Sequence, residues 1–93
     1  MSEITLFVLP GCPHCRLALD VQEQLLQEHP QWREIPLRVV DEDRETDYAA
    51  QFDYYYVPCY YVDGVKVHEG HAEKEDVAAV FQAAAGEARG ETD

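Results

Sequence analysis

The chain has 93 residues, 46% of them hydrophobic, which is enough for one domain around a single core. Nineteen Asp and Glu residues outnumber seven Lys and Arg residues, so the formal net charge is -12. That charge would repel phosphate backbones and anionic lipid surfaces, so neither nucleic acid nor a membrane is expected as a partner. The N-terminus lacks the pattern of a signal peptide, and no apolar run is long enough to cross a bilayer. We therefore expect a cytoplasmic monomer.

The first half of the chain predicts strands that alternate with helices. Residues 4–9 form a run of β-branched and aromatic side chains closed by a Pro-Gly turn, as in a buried strand. Residues 16–28 repeat apolar side chains at helical spacing, and a His-Pro pair ends that pattern. A second strand is expected at 36–41, and a short helix at 45–52.

The second half predicts a hairpin followed by a helix. Residues 59–62 and 65–69 favour strands, and the Asp-Gly pair between them is a strong signal for a two-residue hairpin turn. Residues 74–85 again have helical spacing. The expected order is β-α-β-α-β-β-α, an α/β fold with a mixed four-stranded sheet and helices on both faces. The predicted domain covers 1–87, and 88–93 are expected to form a flexible tail.

A Cys-X-X-Cys motif lies where the first strand meets the first helix. Thiolate is the attacking species in disulfide exchange, and a helix N-terminus stabilises it, which predicts Cys12 as the nucleophile. Pro13 suits a first helical position, and His14 next to the sulfur can hydrogen-bond to the anion or, when protonated, favour it. Cys15 is one helical turn further on, so it is predicted to be the resolving thiol. In a reducing cytosol such a pair indicates redox chemistry or a metal rather than a structural disulfide.

Three features together resemble a known family. A Cys-Pro-His-Cys motif opens the first helix, Val57-Pro58 precedes the hairpin, and Gly70 separates the last strand from the last helix. This arrangement resembles the thioredoxin-fold oxidoreductases, especially their small glutaredoxin-like members. The resemblance implies a thioredoxin fold and a cofactor-free thiol–disulfide oxidoreductase. Its implied partners are a protein disulfide or low-molecular-weight thiol substrate and an electron-donating reductase.

The resemblance also implies roles for residues outside the motif. The bond between Val57 and Pro58 would be cis and lie against the cysteine pair, with the backbone of Val57 pairing with substrate. Gly70 would belong to the same substrate-binding region. The chain departs from the family at several positions, two of which bear most on the chemistry. Leu6 occupies the position where larger thioredoxins keep a buried carboxylate, and the usual glutathione-binding pattern is missing around Gly70.

Cys59 directly follows Pro58 and allows more than one interpretation. It is interpreted first as a small buried hydrophobic residue. Alternatively it is a third redox thiol, or a metal ligand together with Cys12, Cys15 and His14. A Cys₃His set suits zinc, and thiolates alone suit copper(I) or an iron–sulfur cluster. A metal-binding module is therefore the alternative function.

The tyrosines around Pro58 and two histidines after the hairpin complete the candidate residues. Strand alternation would bury some tyrosines and expose others, so part of this group is core and part could line a substrate groove. The tyrosines concerned are Tyr54, Tyr55, Tyr56, Tyr60 and Tyr61. His68 and His71 are interpreted as solvated side chains without a role in the chemistry.

Overall fold

The computed structural model describes residues 2–86, which form four strands, three α-helices and one 3₁₀ segment. Along the chain the elements are β1 (Ile4–Val8), α1 (Pro13–Glu28), the 3₁₀ segment (Pro30–Glu34), β2 (Leu37–Asp41), α2 (Thr46–Ala49), β3 (Cys59–Val62), β4 (Val65–Glu69) and α3 (Lys74–Ala85). The expected order and the mixed α/β class are confirmed. Between α1 and β2, Pro30 begins a 3₁₀ turn that the sequence pattern did not indicate.

The four strands are arranged in the order β2-β1-β3-β4. The outer strand β2 runs parallel to β1, because the long helix α1 connects the two strands as a crossover. The pairings of β1 with β3 and of β3 with β4 are antiparallel. In the turn between β3 and β4, Asp63 has φ 52° and Gly64 has φ 82°. Both values are positive, as the tight hairpin turn predicted from Asp-Gly requires.

Side chains that alternate along β1 divide the interior into two cores. Leu6 faces α1 and α3, where Tyr60, Trp32 and Phe81 are among its companions in the larger core. Phe7 faces α2 and packs in the smaller core, whose buried members are Phe7, Val40, Ala49, Cys59 and Tyr61. The helices therefore cover both faces of the sheet, with α1 and α3 on one face and α2 on the other.

The boundaries differ from the sequence expectations by a few residues. Helix α1 begins at Pro13, the first helical position expected from the motif, although the apolar repeat starts only at residue 16. Helix α2 is the single turn Thr46–Ala49 rather than 45–52. The predicted domain end at residue 87 and the tail 88–93 lie outside the described residues. Within residues 2–86, none of the helices combines the length and apolar character needed to cross a membrane.

Candidate functional site

The Cys-Pro-His-Cys motif forms the start of helix α1. Cys12 is the N-cap, with an extended backbone (φ -84°, ψ 116°), and Pro13 is the first helical residue. Gly11, with φ 77°, turns the chain from β1 into this cap. The backbone N–H of Cys15 donates to Sγ of Cys12 across 3.4 Å, so the sulfur itself caps the helix. The sequence placed both cysteines at a helix start, and the structure shows that arrangement.

The two sulfurs differ in their electrostatic surroundings. Partial burial raises the pKa of the Cys12 thiol, but hydrogen bonds from Cys15 and from the backbone of His14 outweigh it, so the net pKa is lowered. Cys15 is only 2% exposed, and this burial raises its pKa to about 11 despite a backbone hydrogen bond from Leu9. The sulfur of Cys12 and the charge of Glu42 raise the pKa of Cys15 further. Cys12 is therefore the thiol that ionises first.

An open cleft lies in front of the two sulfurs. Its volume is about 410 Å³, and it runs between the 8–13 segment and the first turns of α1, with Asp41 at the end of β2 closing one side. Cys12 is partly exposed, whereas Cys15 is buried behind it. A disulfide that enters from solvent would therefore meet Sγ of Cys12 before that of Cys15.

His14 contacts a histidine that the sequence interpretation had left without a role. Nδ1 of His14 lies 3.0 Å from Nδ1 of His71, and the two rings meet edge to face. Nε2 of His71 is in turn hydrogen-bonded to a carboxylate oxygen of Glu73. His71 is exposed, as expected, but it is not simply solvated. Gly70 has φ 90° and reverses the direction of the backbone after β4. This reversal brings His71 into contact with His14, which is 57 residues earlier in the sequence.

Val57 and Pro58 lie in the loop that leads into β3. The peptide bond between them is cis, and the proline is fully buried. The carbonyl of Pro58 accepts a hydrogen bond from the backbone N–H of Gly70 at 2.8 Å, so two of the predicted substrate-binding residues are joined directly. Val57 and Cys12 both pack at the edge of the larger core.

A neighbouring carboxylate holds the segment just before Val57. Glu69 accepts hydrogen bonds from the backbone N–H groups of Tyr55 and Tyr56, the latter at 2.9 Å, and pairs with Lys66 at 2.8 Å. The hydrogen bond from Lys66 and those from the two amides lower the pKa of Glu69 to about 2. Glu69 thus anchors the backbone of this segment, while the side chains of Tyr55 and Tyr56 remain 86% and 69% exposed. Of the five tyrosines, these two are available to contact a substrate, whereas Tyr60 and Tyr61 are core residues.

Cys59 does not join the other two cysteines. It lies opposite Phe7 in the β1–β3 register and packs in the smaller core, whereas Cys15 packs in the larger core on the other face of the sheet. Its side chain has 0% exposure, and burial raises its pKa to about 12. Among residues 2–86 there is no group of three or more His, Cys, Asp or Glu side chains placed to hold a metal ion. The ligand set proposed from the sequence, which included Cys59, is therefore wrong.

Similar architectures occur among solved structures. A malarial protein superposes with a TM-score of 0.70 at 16% identity, covering 89% of this chain and 96% of its own. Thioredoxin from Fasciola hepatica gives 0.66 at 22% identity, covering 88% of this chain and 79% of its own. A protein disulfide oxidoreductase from Aeropyrum pernix K1 gives 0.65 at 24% identity. This chain spans 38% of the Aeropyrum protein, which covers 91% of this one. The chain has a thioredoxin fold.

At such identities the similarity establishes the thioredoxin fold and not the activity. No protein-family model matches the sequence, and no curated protein is significantly similar to it. The chemistry must therefore be inferred from the residues at the start of α1 and around Pro58.

Proposed function

We propose that this protein is a small thiol–disulfide oxidoreductase that works by dithiol exchange. The observation that supports it most strongly is the difference between the two motif sulfurs. Cys12 is partly exposed with a lowered pKa, and Cys15 is buried one turn behind it with a raised pKa. Disulfide exchange needs one accessible thiolate to attack and a second thiol held in reserve.

The proposed reaction has two steps. Sγ of Cys12, as thiolate, attacks a substrate disulfide, forms a mixed disulfide and releases one substrate sulfur as a thiolate. Sγ of Cys15 then loses its proton and attacks Sγ of Cys12. The bond from Cys12 to substrate breaks, the second substrate sulfur leaves with the electron pair, and the Cys12–Cys15 disulfide remains. Two electrons have passed to the substrate, and an electron-donating reductase would restore the dithiol.

The remaining predicted site residues receive supporting roles in this proposal. Pro13 fixes the first helical position, and the backbone of His14 favours the Cys12 thiolate. The backbone of Val57 would pair with the substrate chain, while Pro58 and Gly70, joined by their backbone hydrogen bond, would hold that segment in place. A protein disulfide fits this surface best, because exposed tyrosine rings precede Val57 and offer contact area to a polypeptide. The cytoplasmic location and the monomeric state stay predictions.

A redox titration tests this proposal. The protein is equilibrated with reduced and oxidised dithiol at graded ratios, the remaining thiols are alkylated, and the products are weighed by mass spectrometry. We expect a single reversible two-electron transition that joins Cys12 to Cys15. Its midpoint decides the direction of electron flow, since about 30 mV corresponds to a tenfold change in the equilibrium.

Cys59→Ala is the matched control for the titration. Cys59 lies on the other face of the sheet, so the transition should be unchanged in this variant. A protein that remains fully reduced at every ratio, or a disulfide that includes Cys59, would contradict the proposal.

A further inference from the structure

Three hydrogen-bonded side chains, which we call the histidine chain, join helix α1 to the start of helix α3. His14 belongs to the Cys-Pro-His-Cys motif, His71 follows β4, and Glu73 is the N-cap of α3. The two imidazoles meet through their Nδ1 atoms at 3.0 Å, and the outer nitrogen of His71 is hydrogen-bonded to the Glu73 carboxylate. No step of the exchange reaction described above uses the side chains of the histidine chain.

The donor and acceptor roles along this chain follow from elementary hydrogen-bond chemistry. An ionised carboxylate can only accept hydrogen bonds, so Nε2 of His71 must carry a proton and donate its hydrogen bond to Glu73. A neutral His71 then has a lone pair on Nδ1 and accepts there. The hydrogen bond between the rings therefore requires the proton on Nδ1 of His14, and a neutral His14 is left without a proton on Nε2.

Two further hydrogen bonds hold the backbones of His71 and Glu73. Nε2 of His68 lies 2.8 Å from the carbonyl oxygen of His71, which can only accept, so His68 donates there. The carboxylate of Asp76 accepts the backbone N–H of Glu73 at 2.9 Å and fixes the first turn of α3. His71 and Glu73 are thus positioned by elements that do not include the cysteine motif.

We propose that His71, backed by Glu73, is a positioning residue that holds His14 in its Nδ1–H tautomer and so keeps Nε2 of His14 as the proton acceptor of the Cys-Pro-His-Cys motif. The inference rests on the proposed function, because the acceptor is needed in the resolving step. As Cys15 attacks Cys12, the Cys12–Cys15 bond forms, the substrate sulfur leaves with the electron pair of the broken bond, and the thiol proton of Cys15 passes to Nε2 of His14.

The burial of Cys15 explains why an acceptor matters. Because its pKa is raised to about 11, only a small fraction of this thiol is ionised at neutral pH. A base that removes the proton during the attack would raise the rate of the resolving step. Leu6 lies in the larger core as an apolar side chain, so that interior position supplies no carboxylate for the purpose.

The tautomer is tested directly by ¹⁵N NMR of the imidazole nitrogens at about pH 8.5, above the ordinary pKa of histidine. We expect His14 to be protonated at Nδ1 and His71 at Nε2. In His71→Ala, the His14 signal should shift to a tautomer mixture dominated by Nε2–H. His29, at the far end of α1, is the internal control and should not change. A wild-type His14 protonated at Nε2, or no change in His71→Ala, would overturn the proposal without reference to any activity.

A kinetic experiment tests whether Nε2 of His14 accepts the proton in the resolving step. A mixed disulfide is formed on Cys12 with a small uncharged thiol, and release of that thiol is followed in a single turnover. We expect His71→Ala to slow release by about tenfold, less than the roughly 10²–10⁴-fold worth of a general base, because His14 itself remains. Glu73→Gln should slow release less than His71→Ala, because the amide oxygen of glutamine can still accept from Nε2 of His71. Glu75→Gln is the matched control, because it removes an exposed carboxylate from the same turn of α3.

The two arms separate this inference from the proposed function. If no mixed disulfide forms on Cys12, the proposed function fails, and the acceptor role of His14 fails with it. If the mixed disulfide forms and release is as fast in His71→Ala as in the wild type, only the role of the histidine chain is refuted. Retained dispersion in the NMR spectrum of each variant checks that the fold is intact.

Discussion

The two motif cysteines should differ sharply in their reactivity towards an alkylating agent. At pH 8 a thiol with a pKa of about 11, as for Cys15, is ~0.1% ionised, and a thiol of ordinary acidity is ionised roughly 100-fold more. The pKa of Cys12 is lowered from the ordinary value by its hydrogen bonds. This difference favours Cys12 by about 100-fold in thiolate. The less acidic thiolate is intrinsically more nucleophilic, and over two pKa units this raises the relative rate constant of the Cys15 thiolate roughly tenfold. The net expectation is an advantage of about tenfold for Cys12, to which the burial of Cys15 adds.

The assay is a timed reaction of the reduced protein with iodoacetamide at several pH values, followed by peptide mass spectrometry. The ratio of the Cys12 rate to the Cys15 rate should be largest near neutral pH. It should fall as pH rises towards 11, because ionisation of Cys12 saturates first. Cys59, buried with a pKa of about 12, should react most slowly of the three. In denaturant the three rates should converge. Equal rates for Cys12 and Cys15 in the folded protein at pH 8 would refute the reasoning.

Three further predictions concern the groups that support the site. Tyr60→Phe removes the hydroxyl that donates to Oε1 of Gln22 at 2.9 Å in the core, and leaving that oxygen unsatisfied should cost about 1–3 kcal/mol of unfolding free energy in a urea titration. Because the pKa of Glu69 is lowered when folded, its contribution to stability is complete above the unfolded value near 4.5 and is lost as pH falls towards 2. Thermal denaturation from pH 6 to pH 2 should therefore show a smaller loss of stability in Glu69→Gln than in the wild type. Replacing both Tyr55 and Tyr56 with Ala should lower kcat/KM for a protein disulfide about tenfold while leaving turnover of a small disulfide unchanged.

Each of these predictions has an outcome that would contradict it. A Tyr60→Phe variant as stable as the wild type would show that Gln22 finds another donor. Parallel pH profiles for wild type and Glu69→Gln would mean that the carboxylate does not hold the loop in solution. If the double tyrosine variant loses activity on the small disulfide as well, the rings act on the cysteine motif itself rather than on substrate docking.

The fold was predictable because its signals are local. Alternating strand runs, the helical spacing after the motif and the Asp63-Gly64 turn each depend on neighbouring residues. Placing Cys12 at a helix start needed only the Pro-Gly turn before it and the apolar repeat after it.

The errors concern contacts between residues that are distant in sequence. The face on which Cys59 lies depends on its register opposite Phe7, which the alternation of β3 alone does not determine. The contact between His71 and His14 requires α1, β4 and the reversal at Gly70 to be positioned together. A weak signal for it existed, since Gly70 marks a sharp turn and Glu73 opens the last helix, so residues between them are held at the end of the sheet.

The central claim is that Cys12 attacks the substrate and Cys15 resolves the intermediate, and trapping the mixed disulfide tests it most directly. Cys15→Ser and Cys12→Ser are each incubated with a disulfide-bonded protein, quenched with acid and analysed by non-reducing electrophoresis and peptide mass spectrometry. We predict a stable adduct through Cys12 in Cys15→Ser and none in Cys12→Ser. An adduct through Cys15 in Cys12→Ser, with none in Cys15→Ser, would reverse the roles, and no adduct in either variant would contradict the exchange mechanism.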